Sequence, residues 1–314
     1  MTAATAPSAI AHDIKVLAAQ LGFEACGFAS AAPVSAEAQA RYDRWIELGC
    51  NDEMQWAARN CDVRSDPRLL VEGAQTVISV ALGYYQALRQ LPGAMRIAMY
   101  ALGQEDYHTA VKRRLWNIAK LIADRTGCQS RCFVDSAPLR ERYWAQQAGI
   151  GFVGRNNALI IPGKGSYFFL GEVVTTLALP PDEPCRLTCG NCGECVSHCP
   201  TGALSTPGAV DARRCLSCLT IEHRGELPPW VADSIGDHAY GCDECQLCCP
   251  HNRHAVQCSA PELQPSDAIM RLTPRQVLAM TPSDYRHTFA HSAIRRARLD
   301  MLQRNCRLAT PQKR

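Results

Sequence analysis

This 314-residue chain has no apolar run approaching the roughly 18 residues that cross a bilayer, so no membrane span is expected. Met1 to Ile10 lacks the basic-then-apolar build of a secretory signal, and no twin-arginine export signal is present. A cytoplasmic protein is the expectation. Without an export context, its 18 cysteines argue against a disulfide framework and for metal ligation. A dominant charge of one sign is missing too. The net charge of +3 sets up no global basic field demanding a nucleic-acid partner, although a local patch remains open.

What the chain does have is concentrated cysteine. Twelve of the 18 lie between Cys185 and Cys258, whereas Cys26, Cys50, Cys61, Cys128, Cys132 and Cys306 are scattered and read as small hydrophobes. The first block, Cys189-Gly-Asn-Cys192-Gly-Glu-Cys195-Val-Ser-His-Cys199-Pro200, has the spacing that grips one [4Fe–4S] cube with three thiolates and sends the fourth to a second cube. A zinc ribbon would use two CxxC pairs and would need neither Cys195 nor Pro200. The second block, Cys242-Asp-Glu-Cys245-Gln-Leu-Cys248-Cys249-Pro250, supplies Cys249 to the first cube. The second cube takes Cys199, Cys242, Cys245 and one more thiolate, for which Cys215 and Cys248 compete; spacing does not decide between them. Two such cubes move electrons singly.

A cluster module fills only a small part of 314 residues. Ahead of it, helices are expected at Ile10–Leu21, Tyr42–Leu48, Tyr107–Thr126 and Leu139–Ala148. Strands are expected at Glu24–Ser30, Thr76–Tyr84, Arg131–Val134, Leu159–Ile161 and Tyr167–Leu179. Pro180-Pro-Asp-Glu-Pro184 is a linker, and from Leu272 the chain is helical and basic. The expected architecture is an α/β (α+β) domain over 1–180, a ferredoxin-like two-cluster module over 181–260, and a short basic helical region over 261–314.

Other motifs are weaker. Cys185-Arg-Leu-Thr-Cys189-Gly-Asn-Cys192 fits the radical-SAM CxxxCxxC only by overlapping the better ferredoxin pattern. Gly149-Ile-Gly151-Phe-Val-Gly154 matches GxGxxG, but a helix enters it and a strand leaves, the reverse of a dinucleotide site. Asp106-Tyr-His108 begins like the cobalamin signature DxHxxG without its glycine, so His108 reads as a packed or hydrogen-bonded helix residue. Asp135 follows an apolar strand. It is either a carboxyl projecting into a sheet crevice, with a raised pKa and a proton to give, or a helix N-cap. Arg295, Arg296, Arg298, Arg304, Arg307, Lys313 and Arg314 form either a solvated face or a phosphate contact.

Several stretches together resemble the epoxyqueuosine reductases. They are Met54-Gln-Trp56-Ala-Ala-Arg59, Asp106-Tyr-His108, Phe133-Val-Asp135-Ser-Ala-Pro138, Gly149 to Gly154, Gly165-Ser-Tyr-Phe-Phe-Leu-Gly171-Glu172, Asp211-Ala-Arg-Arg-Cys215, Leu219-Thr-Ile-Glu222 and Tyr240 to Leu247. The resemblance covers about residues 10–260. It implies a cobalamin-binding domain like that of reductive dehalogenases, joined to the two-cluster module. The implied reaction reduces the epoxide of epoxyqueuosine in a tRNA anticodon loop, the last step of queuosine biosynthesis. Cob(II)alamin would be fed through both [4Fe–4S] clusters by an external reductant of flavodoxin or ferredoxin type. Asp135 matches the family's proton donor, and Cys215 is favoured over Cys248. Arg59, Asn157, Ser217 and Asp243, with Asp135, match positions near the corrin, which the family holds without a protein lower ligand. Departures are His251 and Cys218, where aromatic residues are common, and a C-terminus that stops soon after Ala293-Ile-Arg-Arg-Ala, so less of the family's helical-repeat tRNA grip is expected. The rival readings are a corrinoid reductive dehalogenase and a non-enzymatic electron carrier.

Overall fold

The alternation Thr76-Val-Ile-Ser-Val-Ala-Leu-Gly83 has no polar face to show to water, and in the computed structural model all eight residues are buried. The structure describes residues 7–88, 91–204 and 209–309. Thr76–Gly83 is strand β2, the second in chain order after β1 (Ala25–Ser30). The remaining strands are β3 (Arg96–Ile97), β4 (Ser130–Phe133), β5 (Phe152–Val153), β6 (Leu159–Ile160), β7 (Phe168–Thr175) and β8 (His238–Tyr240). The main sheet has the order β1-β2-β7-β4, and every pairing in it is antiparallel.

Both faces of this sheet are covered, which is why its central strands read as continuous apolar runs. One face carries Ile78, Val80, Leu82 and Val173 against the helices Pro7–Gln20 and Tyr107–Thr126. The second of these starts on an Asp106 cap, which accepts from the His108 N–H, and ends at Gly127 with φ +71°. It lies close: a Cβ on Gly171 would stand 2.8 Å from Val111. The opposite face carries Val77, Ala81, Leu170 and Val174 against the helix Glu141–Gln147, with Trp144 and Ala145 buried between them.

The expected helix over 42–48 begins at Ala36, capped by Ser35. It buries no residue, so it left little apolar periodicity to read. The turn at 149–154 does run from helix to strand. Its glycines serve close backbone approach, since a Cβ on Gly151 would sit 2.3 Å from the Ile160 carbonyl oxygen across the β5–β6 hairpin.

The cysteine-rich segment folds as short helices, Glu194–Ser197, Leu216–Ile221 and Glu244–Leu247, with β8 lying parallel to β3. A third core draws Met95, Ile97 and Ala101 together with Ile221 and Tyr240, and with Phe289, Ile294 and Leu302 from the C-terminal helices. Arg304 is part of this interior. It donates to the carbonyls of Leu219, His223 and Gly225, so it contributes no surface charge. Arg296 forms a two-pronged pair with Glu222 at 2.8 Å, and Arg298 pairs with Asp300. Lys313 and Arg314 lie outside the described residues. No described helix is long and apolar enough to cross a membrane.

Candidate active site and cysteine groups

Asp135 emerges from the edge strand β4 on a left-handed turn, φ +51°, an expensive conformation for a residue with a side chain. The sheet has no parallel pair, so the crevice of a parallel sheet is not what places it; the edge strand and this turn are. The turn points the carboxylate at the start of the helix Tyr107–Thr126. There the Tyr107 hydroxyl donates to Asp135 Oδ2 at 2.7 Å, and His108 Nε2 stands 3.2 Å from the same oxygen. His108 Nδ1 is 2.6 Å from Asp106 Oδ1. The Tyr107 ring is clamped, stacking on His108 at 4.0 Å and lying parallel to Phe169 at 4.1 Å. The Asp135 N–H donates to the Glu141 carboxylate.

The charges follow from these contacts. Burial alone would raise the Asp135 carboxyl, but the His108 and Tyr107 hydrogen bonds more than offset it and hold the group below its usual value. Its side chain keeps 59% of its surface open in a crowded recess, so the lowering is modest in energy. For His108, burial works against charge, yet hydrogen bonds to Asp106 and Asp135 raise it to about 9. Glu141 is pushed up to about 8 by burial and then by the Asp135 charge. At neutral pH the proton of the Asp135–His108 couple therefore rests on His108. The sequence reading had put it on a carboxyl of raised pKa. The N-cap alternative for Asp135 also falls, because Arg140 occupies that position of the Glu141–Gln147 helix.

Tyr107, His108, Glu141 and Glu172 were not assigned to a site from the sequence. The available signals were the tripeptide Asp106-Tyr-His108 and a lone carboxylate in the apolar strand Phe168–Thr175.

The cysteines sort into two neighbourhoods. Burial, followed by the charges of Cys189, Cys249 and Cys192, raises the Cys195 thiol. Burial raises Cys249, opposed by the His251 backbone N–H and aided by Cys189 and Cys192. Cys248 feels Cys195 and Cys249 after burial, so it lies beside this first group. In the other neighbourhood Cys199 acts on Cys215, and Cys215 acts on both Cys242 and Cys245. Cys218 is buried next to Cys215. Among the described residues no three such groups converge as the ligands of a single ion do. Thiolates that each take a different iron of a cube stand further apart, so the donor chemistry fits clusters. The hairpin's Phe152 and Ile160 pack with Cys249, and the Asn156 amide donates to the Cys245 carbonyl at 3.2 Å.

The remaining predicted positions are dispersed. Arg59 is exposed at the end of Gln55–Ala58, Asn157 turns the hairpin with φ +61°, and Ser217 is half-buried on Leu216–Ile221. Asp243, raised by burial, accepts from the Met99 N–H at 2.7 Å. Met99 adjoins Tyr100, whose ring lies 6.0 Å from Tyr107, so Asp243 reaches the Asp135 recess through an aromatic wall. Among the described contacts none ties Arg59 or Ser217 to Asp135. Both ring nitrogens of His108 are engaged by carboxylates, so this residue has no nitrogen free for a cobalt ion. That fits a corrinoid held without a protein lower ligand.

Residues 64–136 match the family model Epoxyqueuosine reductase QueG, DUF1730, and residues 188–252 match a 4Fe-4S double cluster binding domain. The epoxyqueuosine reductase of Cellulophaga algicola is 37% identical over 293 residues, covering 93% of this chain and 95% of that protein. That of Gloeobacter violaceus is 39% identical over 306 residues, covering 95% of each. Among solved structures, an epoxyqueuosine reductase in complex with an epoxyqueuosine-modified tRNA-Tyr stem loop has a TM-score of 0.89 at 29% identity, covering 96% of this chain and 81% of that one. The Streptococcus thermophilus enzyme has a TM-score of 0.86 at 30% identity, with 96% and 80% covered.

Proposed function

This chain belongs to the epoxyqueuosine reductase family, and on that premise we propose that it reduces the epoxide of epoxyqueuosine in a tRNA anticodon loop, giving queuosine and water. The observation that carries the reading is Asp135, held on a strained turn with the proton-bearing His108 and the Tyr107 hydroxyl both on one carboxylate oxygen. An electron carrier has no use for such a constellation.

We assign Cys189, Cys192, Cys195 and Cys249 to one [4Fe–4S] cluster and Cys199, Cys215, Cys242 and Cys245 to the other. Arg59, Asn157, Ser217, Asp243 and Asp135 would face a bound cobalamin. When bound, these groups supply single electrons, delivered from a flavodoxin- or ferredoxin-type reductant. We divide the chain at 1–180, 181–260 and 261–314, with all the cluster cysteines in the second segment and Ser217 and Asp243 of that segment reaching the cobalamin, and a cytoplasmic setting suits these tasks.

The protein's part is position and protons. As a carbon–oxygen bond of the substrate breaks, negative charge develops on the oxygen. Asp135 meets it in the open recess and passes on the proton that His108 Nε2 holds 3.2 Å behind. Tyr107 fixes the carboxylate in line, and its own stacking on Phe169 keeps it there. The anticodon loop is unpaired, so its modified base can be splayed into the recess. Arg142 is exposed and acts on Asp135 electrostatically, which makes it a cation available to the loop phosphates, whereas Arg296, which also feels Asp135, is paired with Glu222.

The test is Asp135→Asn in reconstituted protein. Conversion of epoxyqueuosine tRNA should be abolished with the iron content unchanged. Conversion at the normal rate would remove Asp135 from its role and return the chain to the electron-carrier reading.

A further inference from the structure

Behind Asp135 lies a second acidic pair. Glu172 stands in β7, opposite Phe133 of β4 on one side and Ser79 of β2 on the other, and is wholly buried. Alternation along the strands puts these three residues on the face covered by the Glu141–Gln147 helix. Among the described residues, no N–H or O–H reaches either oxygen of Glu172, and the Oγ of its cross-strand neighbour Ser79 also lacks a partner. The neighbouring polar group is the Glu141 carboxyl, and two carboxyls can bond each other only if one holds a proton. A bare carboxylate in so dry a place is strongly disfavoured, and two side by side still more. Glu141 in turn accepts from the Asp135 backbone N–H.

We propose that Glu141 and Glu172 hold a shared proton store behind Asp135 and reload it within each turnover. This rests on the function proposed above. Opening an epoxide to an alkene breaks two carbon–oxygen bonds, forms one carbon–carbon double bond, and releases the oxygen as water. It consumes two electrons, from the one-electron reductant, and two protons. The Asp135–His108 couple carries one proton. The second must reach the same carboxylate while the recess is filled by the substrate, and the carboxyl pair stands on the protein side. Glu141 and Glu172 act through Asp135, so they are positioning residues for the proton. The charged groups facing Glu141 are Asp135, Arg142 and His108, and those facing Glu172 are Glu141 and Asp135. Burial and the Asp135 charge hold Glu141 protonated up to about pH 8.

Infrared spectroscopy of the protein, with or without its cofactors, tests the store directly. At pH 6.5 the wild type should show a deuterium-sensitive carbonyl stretch of protonated carboxylic acid, which weakens as Glu141 releases its proton near pH 8 and is diminished in Glu141→Gln and in Glu172→Gln. Absence of that band at pH 6.5 overturns the proposal whatever the enzyme does. In turnover of epoxyqueuosine tRNA, each glutamine variant should slow the reaction on the order of a hundredfold, a typical general-acid contribution, and Glu141→Gln should lose the alkaline limb near pH 8. Wild-type rates and pH profiles in both variants also overturn it. If the wild type itself fails to reduce epoxyqueuosine, the functional reading fails while the infrared band stands, so the two failures are distinguishable.

Discussion

Replacing His108 by Gln isolates the contribution of the histidine proton. In the wild type His108 keeps its proton up to about 9 and Glu141 up to about 8, with buried Glu172 raised as well, so activity should persist to about pH 8. Glutamine keeps a donor toward Asp135 but carries no titrating proton. The first proton must then sit on the Asp135 carboxyl itself. That group keeps the Tyr107 hydrogen bond that helps hold it below its usual value, so it gives up its proton at far lower pH than His108 does. The alkaline limb should therefore move well below 8. At pH 7 kcat/KM should fall on the order of a hundredfold, a typical general-acid contribution, and recover as the pH is lowered toward 5. The assay is conversion of epoxyqueuosine in an anticodon stem loop between pH 5 and 9.5, with iron counted at each pH. A uniform loss at every pH, with the limb still near 8, would show that His108 only orients Asp135 and would refute the placement of the proton.

Cys215→Ala should drop the iron of reconstituted protein from about eight toward four per chain, while Cys248→Ala keeps it near eight; an iron count showing the reverse would exchange the two residues in the ligand set. Arg304→Met should destabilise the fold by about 2–4 kcal/mol in urea denaturation, because three carbonyls lose a buried donor; a change below about 0.5 kcal/mol would contradict its structural role. His108, from an ordinary 6.5, and Glu141, from 4.5, both bind a proton more tightly when folded. Their stabilisation is complete below those ordinary values and is lost as pH rises through about 8 and about 9, so the wild-type Tm should fall from pH 6 to 9.5 more than that of His108→Gln. Equal slopes would argue against the raised values.

The local features were legible without any fold. The 2-2-3 cysteine spacing and the paired Cys249-Pro250 depend on a few consecutive residues, and so does the helix Tyr107–Thr126 with its Asp106 and Gly127 ends. The buried strands Thr76–Gly83 and Phe168–Thr175 announced themselves by apolar, β-branched runs. Asp135 was singled out as a residue at the end of a strand, but its company was not. His108 lies 27 positions earlier and Glu172 well beyond it along the chain, and no periodicity links such distances.

What the sequence by itself determined, then, is the donor chemistry of the cysteines and the existence of the main helices and strands, because spacing and propensity act over a few residues. Only the tertiary structure decided that the sheet is antiparallel, that Cys215 lies with Cys242 and Cys245, and that Arg304 is interior. It also decided that the resting proton belongs to His108, since a titration is set by burial and by charges that only the folded chain brings within hydrogen-bonding distance.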